Sequence, residues 1–148
     1  MNVSMVDFET VLIPVDGSEG ANRAAQFGAR LATATQCTVT LMFVMPAQSS
    51  MLMNMSKLSD DEIQHIEHSA ARAAMDKARQ VMGDIGTQAE EVVTMGDPAE
   101  EIIHYVHQHP DTLVVMGRRG LSRMQSLLVG SVSEKVVRHA GSAVTLVQ

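Results

Sequence analysis

The sequence predicts an α/β fold: a single domain built on an open parallel five-stranded sheet, strand order 3-2-1-4-5, with helices on both faces. Three observations lead there. Short runs rich in apolar and β-branched residues recur around positions 11–15, 37–44, 88–95, 112–116 and 143–147. Segments with helix-start signals and helical periodicity separate them. Strict alternation of this kind, joined by right-handed crossovers, leaves few topologies. In the order 3-2-1-4-5 the winding reverses between strands one and four, and such sheets bind ligands outside the carboxyl ends of the strands at that switch.

Each element has its own local reason. Val11-Leu12-Ile13-Pro14-Val15 is a run of the kind buried in a parallel sheet. Asp16-Gly17-Ser18 ends it with turn and helix-start chemistry. From about Glu19 to Ala34, apolar or small residues fall at 21, 24, 25, 28, 31 and 32, on one helical face. Cys37 to Val44 is the second strand. Met45 to Leu58 shows neither helix nor strand regularity and is too apolar for an ordinary linker. It is read as a loop whose Met side chains fill gaps over the core, with a mobile flap or an adaptable partner surface as the alternative. Ser59-Asp60-Asp61-Glu62 is a capping box opening a helix that turns Ile63, Ile66, Ala70, Ala73, Ala74 and Val81 inward and stops near Gly83.

Gln88 to Met95 is a third strand, polar at its start. Asp97 is the N-cap of the next helix, with Pro98 at N1, Glu100 completing a box, and Ile102, Ile103 and Val106 facing inward. Pro110 ends it. Thr112 to Met116 is strand four. Ser131-Val132-Ser133-Glu134 reads as another capping box, with a helix starting at or close to Ser131. Val132, Val136, Val137 and Ala140 form its inner face, Gly141 suits the C′ position, and Ala143 to Val147 is the last strand.

Bulk composition bounds the function. At 148 residues, 45% hydrophobic and 19% charged, the chain suits one globular domain and not a disordered one. A single cysteine, Cys37, excludes an internal disulfide framework and fits a reducing compartment. No signal-peptide pattern opens the chain and no apolar run reaches membrane-span length, so a soluble cytoplasmic protein without a membrane partner is expected. A net charge of −6 argues against general nucleic-acid binding. The charge is uneven: 5 of the 11 basic residues, but only Glu134 among the acids, lie from Thr112 onward. Arg118, Arg119 and Arg123 gather around the glycines there. His65 and His68 lack a further ligand and are read as exposed, while His104, His107 and His109 crowd the last turn of their helix, where positive charge suits the dipole, with a zinc site as the lesser alternative.

The chemistry concentrates at 112–134. A buried strand, glycines at 117, 120 and 130, and a helix opening at Ser131 make an anion site. Helix N-termini present unpaired N–H groups and partial positive charge, and glycines let a backbone approach a phosphate. Gly117, Gly120 and Gly130 would surround phosphates with main-chain N–H groups, and Ser131 and Ser133 would add hydroxyls. Asp16, at the facing strand end, would accept from a ribose hydroxyl or help hold a divalent cation carried by the phosphates. Pro14, Val15 and Val44 would offer apolar surface to a base. Neither the P-loop pattern nor the dinucleotide fingerprint is present.

Gly117-x2-Gly120-x9-Gly130-Ser131 resembles the signature of ATP-binding universal stress proteins, and Ile13-Pro14-Val15-Asp16-Gly17-Ser18 and Gly96-Asp97-Pro98 are similar to theirs. The resemblance spans residues 8–148. It implies an adenine-nucleotide-binding regulatory module tied to stress responses, using ATP and Mg2+, usually a homodimer through the C-terminal strand. By position it implies that Pro14, Val15, Asp16 and Val44 line the adenosine end. Met116, Gly117, Arg118, Gly120, Gly130, Ser131, Val132 and Ser133 line the ribose and phosphates, and Asp16 is the metal-side residue. Slow ATP hydrolysis, self-phosphorylation at Ser131 or Ser133, and binding of AMP or cyclic AMP stay open as alternatives. Three departures stand out: the paired Arg118-Arg119, Phe43 where a His often precedes the base-contacting Val, and Ser142-Ala143-Val144 where Cys-Pro-Val is common.

Overall fold

The computed structural model describes residues 7–118 and 129–148. Its elements are β1 (Thr10–Pro14), α1 (Glu19–Thr35), β2 (Thr38–Pro46), α2 (Ala47–Met55), α3 (Asp60–Arg79), α4 (Ile85–Gln88), β3 (Glu90–Gly96), α5 (Pro98–Gln108), β4 (Thr112–Gly117), α6 (Ser131–His139) and β5 (Val144–Val147). The strands form one parallel sheet in the order β3-β2-β1-β4-β5, as the alternation predicts. β1 lies at the centre, paired from Thr10↔Thr38 on one side and Thr10↔Thr112 on the other.

Strand periodicity divides the core in two. On one face Val11, Ile13, Leu41 and Val115 pack with the alanines of α1 and with Ala71, Ala74, Met75 and Ala78 of α3. On the other, Leu12, Met42, Val114 and Met116 pack against Ala99, Ile102 and Val106 of α5 and Val136 of α6. The buried stripe of α1, made only of alanine and glycine, brings that helix close to the sheet. Buried aliphatic area of this kind stabilises at roughly 25 cal/mol per Å².

The helix starts follow local chemistry. Ser18 Oγ accepts from the Ala21 N–H at 3.1 Å. Ser59 and Glu62 form the reciprocal capping box. Asp97 Oδ1 accepts from the Glu100 N–H at 2.9 Å, with Pro98 opening α5. Gly141, with φ 69°, follows α6 in the left-handed conformation expected of a C′ glycine.

Four local expectations are corrected. Residues 47–55 are a helix, α2, where a loop is expected; its apolar side chains point all round, so no periodic signal marks it. On α3 the buried stripe is Ile63, Ala71, Ala74, Met75 and Ala78, while Ile66, Ala73 and Val81 are exposed. Alanines fill both neighbouring stripes of that helix, so apolarity alone does not choose between them. On α6 Val137 is half exposed and Ser133 is buried in its place. The short α4 also lies where no element is expected.

Polar contacts fasten α3 to the outer strand. Arg72 makes a two-pronged contact with Glu91 of β3, at 3.0 and 2.6 Å. Arg79 reaches the same carboxylate at 2.6 Å, and also donates to the carbonyls of Gly86 and Ala89. The Arg72 hydrogen bond, reinforced by Arg79, holds the Glu91 carboxyl well below its usual range, at about 2. No helix among the described residues is long and apolar enough to cross a membrane.

Candidate functional site

The carboxyl ends of β1 and β4 diverge into two turns, as a switch point requires. After β1, Val15 extends the pairing by donating its N–H to the Met42 carbonyl at 2.8 Å. Asp16 then folds back, its Oδ1 accepting from the Ser18 N–H at 2.9 Å. Between them Gly17 adopts φ 85°, a conformation L side chains rarely take. The Lys77 ammonium of α3 donates to the Gly17 carbonyl at 2.8 Å and ties the turn down from the side.

At the end of β4, Gly117 sits against the first turn of α1, and Arg118 donates its N–H to the Val147 carbonyl at 2.9 Å. The Arg118 carbonyl accepts from the Gly130 N–H at 2.8 Å, so the chain that leaves the sheet at 118 is back beside it at 130. Ser133 Oγ donates to the Gly117 carbonyl at 2.8 Å and draws α6 onto the strand end.

Gly130 is the N-cap of α6, and among the described residues no side chain caps this helix. The capping box expected at Ser131–Glu134 is therefore displaced: Ser131 is N1 and Ser133 is N3. The consequence is chemical. At the starts of α1, α3 and α5 a side-chain oxygen satisfies an N–H. At α6 none does, and the amides of the first turn keep their demand for an acceptor.

A pocket of about 480 Å³ opens in front of this turn. Pro14, Val15 and Asp16 line it from β1, and Val44 from β2. Met116, Gly117, Gly130, Ser131, Val132 and Ser133 line it from β4 and α6. The volume suits a small organic ligand. Arg118 does not line it and is engaged through its backbone. Gly120 lies outside the described residues, as do Arg119 and Arg123. Lys135 and Arg138 are spoken for elsewhere: Lys135 contacts Glu100 at 3.1 Å, and Arg138 contacts Glu134 at 2.9 Å. The basic cluster of the sequence is thus partly an ion-pair surface.

Several lining residues escape the sequence reading. Met42, Phe43, Met45 and Pro46 belong to a β2 longer than expected; Ser49 belongs to the unexpected α2; Ala70 comes from α3. Pro98 and Ile102 also line the pocket, and could have been inferred because α5 starts at the same end of the sheet. Asp16 is the acidic group among the described lining residues, and no described cluster of three or more His, Cys, Asp or Glu side chains exists to hold a metal. His104, His107 and His109 are exposed, and His109 stacks on Tyr105 with ring centroids 4.1 Å apart. A divalent cation here would need ligand phosphates and waters to complete its shell around Asp16.

The family model for the universal stress protein family matches residues 7–148. The chain belongs to that family. A universal stress protein of Thermus aquaticus is 32% identical over 146 residues, covering 95% of this chain and 99% of that protein. Universal stress protein YxiE of Bacillus subtilis is 26% identical, with 95% and 99% coverage. Among solved structures, universal stress protein UspA from Lactobacillus plantarum superposes with a TM-score of 0.76 at 25% identity, covering 96% of this chain and 99% of that one. Two further folds of the same kind were solved with nucleotides. One is a universal stress protein in complex with cAMP (TM-score 0.66, 23% identity, 96% and 98% coverage). The other, from Archaeoglobus fulgidus, is in complex with dAMP (TM-score 0.64, 19% identity, 97% and 100% coverage). This universal stress protein therefore has its pocket at the switch point of a family fold.

Proposed function

We propose that this universal stress protein is an ATP-binding regulatory module whose pocket takes an adenine nucleotide with Mg2+. The observation that carries the reading is the start of α6, which no described side chain caps and which faces the pocket between the β1 and β4 ends. An anion is the natural occupant of such a turn. In this reading the amides of Ser131, Val132 and Ser133 and the Ser131 hydroxyl hold phosphates, with Gly117 and Gly130 giving them access; Gly120, outside the described residues, is assigned to the same phosphate site. Arg118, beside Gly117 in the chain though outside the lining, adds positive charge to this end of the sheet. Asp16 accepts from the ribose or steadies the cation, and Pro14, Val15, Val44 and Met116 enclose the nucleoside. The cAMP and dAMP complexes of related folds support the adenine class. The ribose and base contacts are common to ATP, AMP and cyclic AMP, so the phosphate count is what titration must decide.

Binding without fast turnover fits the lining. Rapid phosphoryl transfer needs a positioned base or water-orienting group besides a metal clamp. Asp16 alone among the described lining acids would have to serve both roles. The outer edge of β5, unpaired among the described residues and with its four residues half buried, supports a homodimer formed through that strand.

Calorimetric titration with ATP, AMP and cyclic AMP in magnesium buffer tests the reading. Saturable binding of ATP, weakened by Asp16→Ala, is expected. Absence of heat with every adenylate on folded protein overturns it. Native mass spectrometry of the same material reads subunit number and copurified nucleotide, and a monomer at every concentration removes the β5 interface.

A further inference from the structure

We infer that Met53 is a modification site: its oxidation to the sulfoxide releases α2 from the wall of the nucleotide pocket and weakens binding. The inference rests on the nucleotide reading above.

The geometry starts with α2. It begins at Pro46 with no side-chain cap, and no charged residue stabilises either end. Ser56 closes the other end by donating to the Leu52 and Met53 carbonyls, but helices of nine residues are marginal on their own, so packing must hold it. Most of its apolar side chains contribute nothing to that. Met51, Leu52 and Met55 are 63%, 69% and 78% exposed. Met53 is different: it is half buried and packs against the core cluster beneath α1 and α3. Ser49 lies one turn before it, and residues i and i+4 share a helix face. Ser49 lines the pocket. The inward face of α2 thus places a core peg, Met53, one turn along from a pocket-wall residue, Ser49. Ala70 of α3, which packs on the same cluster, lines the pocket beside them.

A thioether at this position is both an anchor and a chemical weak point. Hydrogen peroxide transfers one oxygen atom to the sulfur; the O–O bond breaks, the sulfur gives up two electrons, and water leaves. The product is a polar, chiral sulfoxide that no longer suits an apolar contact, and reductases restore the thioether. Met42, Met75 and Met116, nearly fully buried, are shielded from the oxidant. Met51 and Met55 are open to it, but their oxidation adds polarity to side chains already in water. Met53 combines partial access with a packing role.

The test exposes the protein to hydrogen peroxide in a Cys37→Ser background, which removes the thiol. Peptide mass spectrometry locates the sulfoxides, ATP titration reads affinity, and hydrogen exchange reads the amides of residues 47–55. Oxidation is expected to weaken ATP several-fold and to speed exchange across α2. Met53→Leu keeps apolar volume and should abolish both responses, whereas the Met51→Leu/Met55→Leu double variant should keep both. The inference is overturned if Met53→Leu responds like its parent, or if Met53 is oxidised and α2 exchange stays unchanged. The exchange arm needs no ligand, so a failure of ATP to bind untreated protein sinks the nucleotide reading separately from the release of α2.

Discussion

A Cβ placed on Gly117 would lie 2.8 Å from the carbonyl carbon of Gly20. The end of β4 and the first turn of α1 meet backbone to backbone, and Gly117 has no room for a side chain there. Gly117 is therefore needed for packing, whatever it does for a phosphate. Gly117→Ala should destabilise the fold by about 1–3 kcal/mol, as overpacking of a tight contact does. Urea denaturation checks this. A variant of unchanged stability and reduced ATP affinity would assign the glycine to the ligand instead.

Gly130 has the opposite character. Its φ of −70° and ψ of 161° suit any residue, so the left-handed region is not what requires glycine there. Gly130→Asp should place a carboxylate at the uncapped start of α6. Stability should rise by a few tenths to about 1 kcal/mol from capping and the helix dipole. ATP binding should be lost, since the new carboxylate competes for the same amides. Stability and affinity moving in opposite directions, by thermal melting and titration, is the expected signature. A gain or loss in both would remove the anion site from α6.

Ser133 is buried and gives its hydroxyl hydrogen to the Gly117 carbonyl. Ser133→Ala should cost about 1–2 kcal/mol, because the carbonyl loses its donor. Its effect on ATP affinity should be smaller than that of Ser131→Ala, whose hydroxyl has no such fixed task. Paired denaturation and titration of the two variants reads the contrast.

Glu91 links stability to pH. Its folded value, about 2, is depressed by the Arg72 and Arg79 hydrogen bonds from an ordinary 4.5. The stabilisation is fully present above about pH 4.5 and fades as pH falls toward 2, because the unfolded chain takes up the proton first. With the partners partly exposed, the contribution is about 1 kcal/mol. Glu91→Gln should be less stable than the parent by that amount at pH 7, with the gap closing below pH 4. A gap that persists at pH 2.5 would show that packing and not charge holds α3 to β3.

The sequence by itself determined the strand order, the switch-point location and three of the helix starts. Those features depend on interactions within one turn or on alternation of apolar runs: Ser18, Ser59 and Asp97 bond amides three residues away, and β-α alternation constrains the crossovers. It also marked half of the residues that line the described pocket, because strand ends at a switch point are legible once the order is known. Tertiary structure alone decided the rest. α2 carries no periodic signal and packs on a core distant in sequence through the half-buried Met53. The choice of stripe on alanine-rich α3 depended on which alanines met the sheet. Ser131 looked like a cap in sequence, yet Gly130 took that role when its N–H bonded the Arg118 carbonyl across the loop. Long-range contacts of this kind leave no trace in local spacing, since the partner that fixes each residue lies elsewhere in the chain.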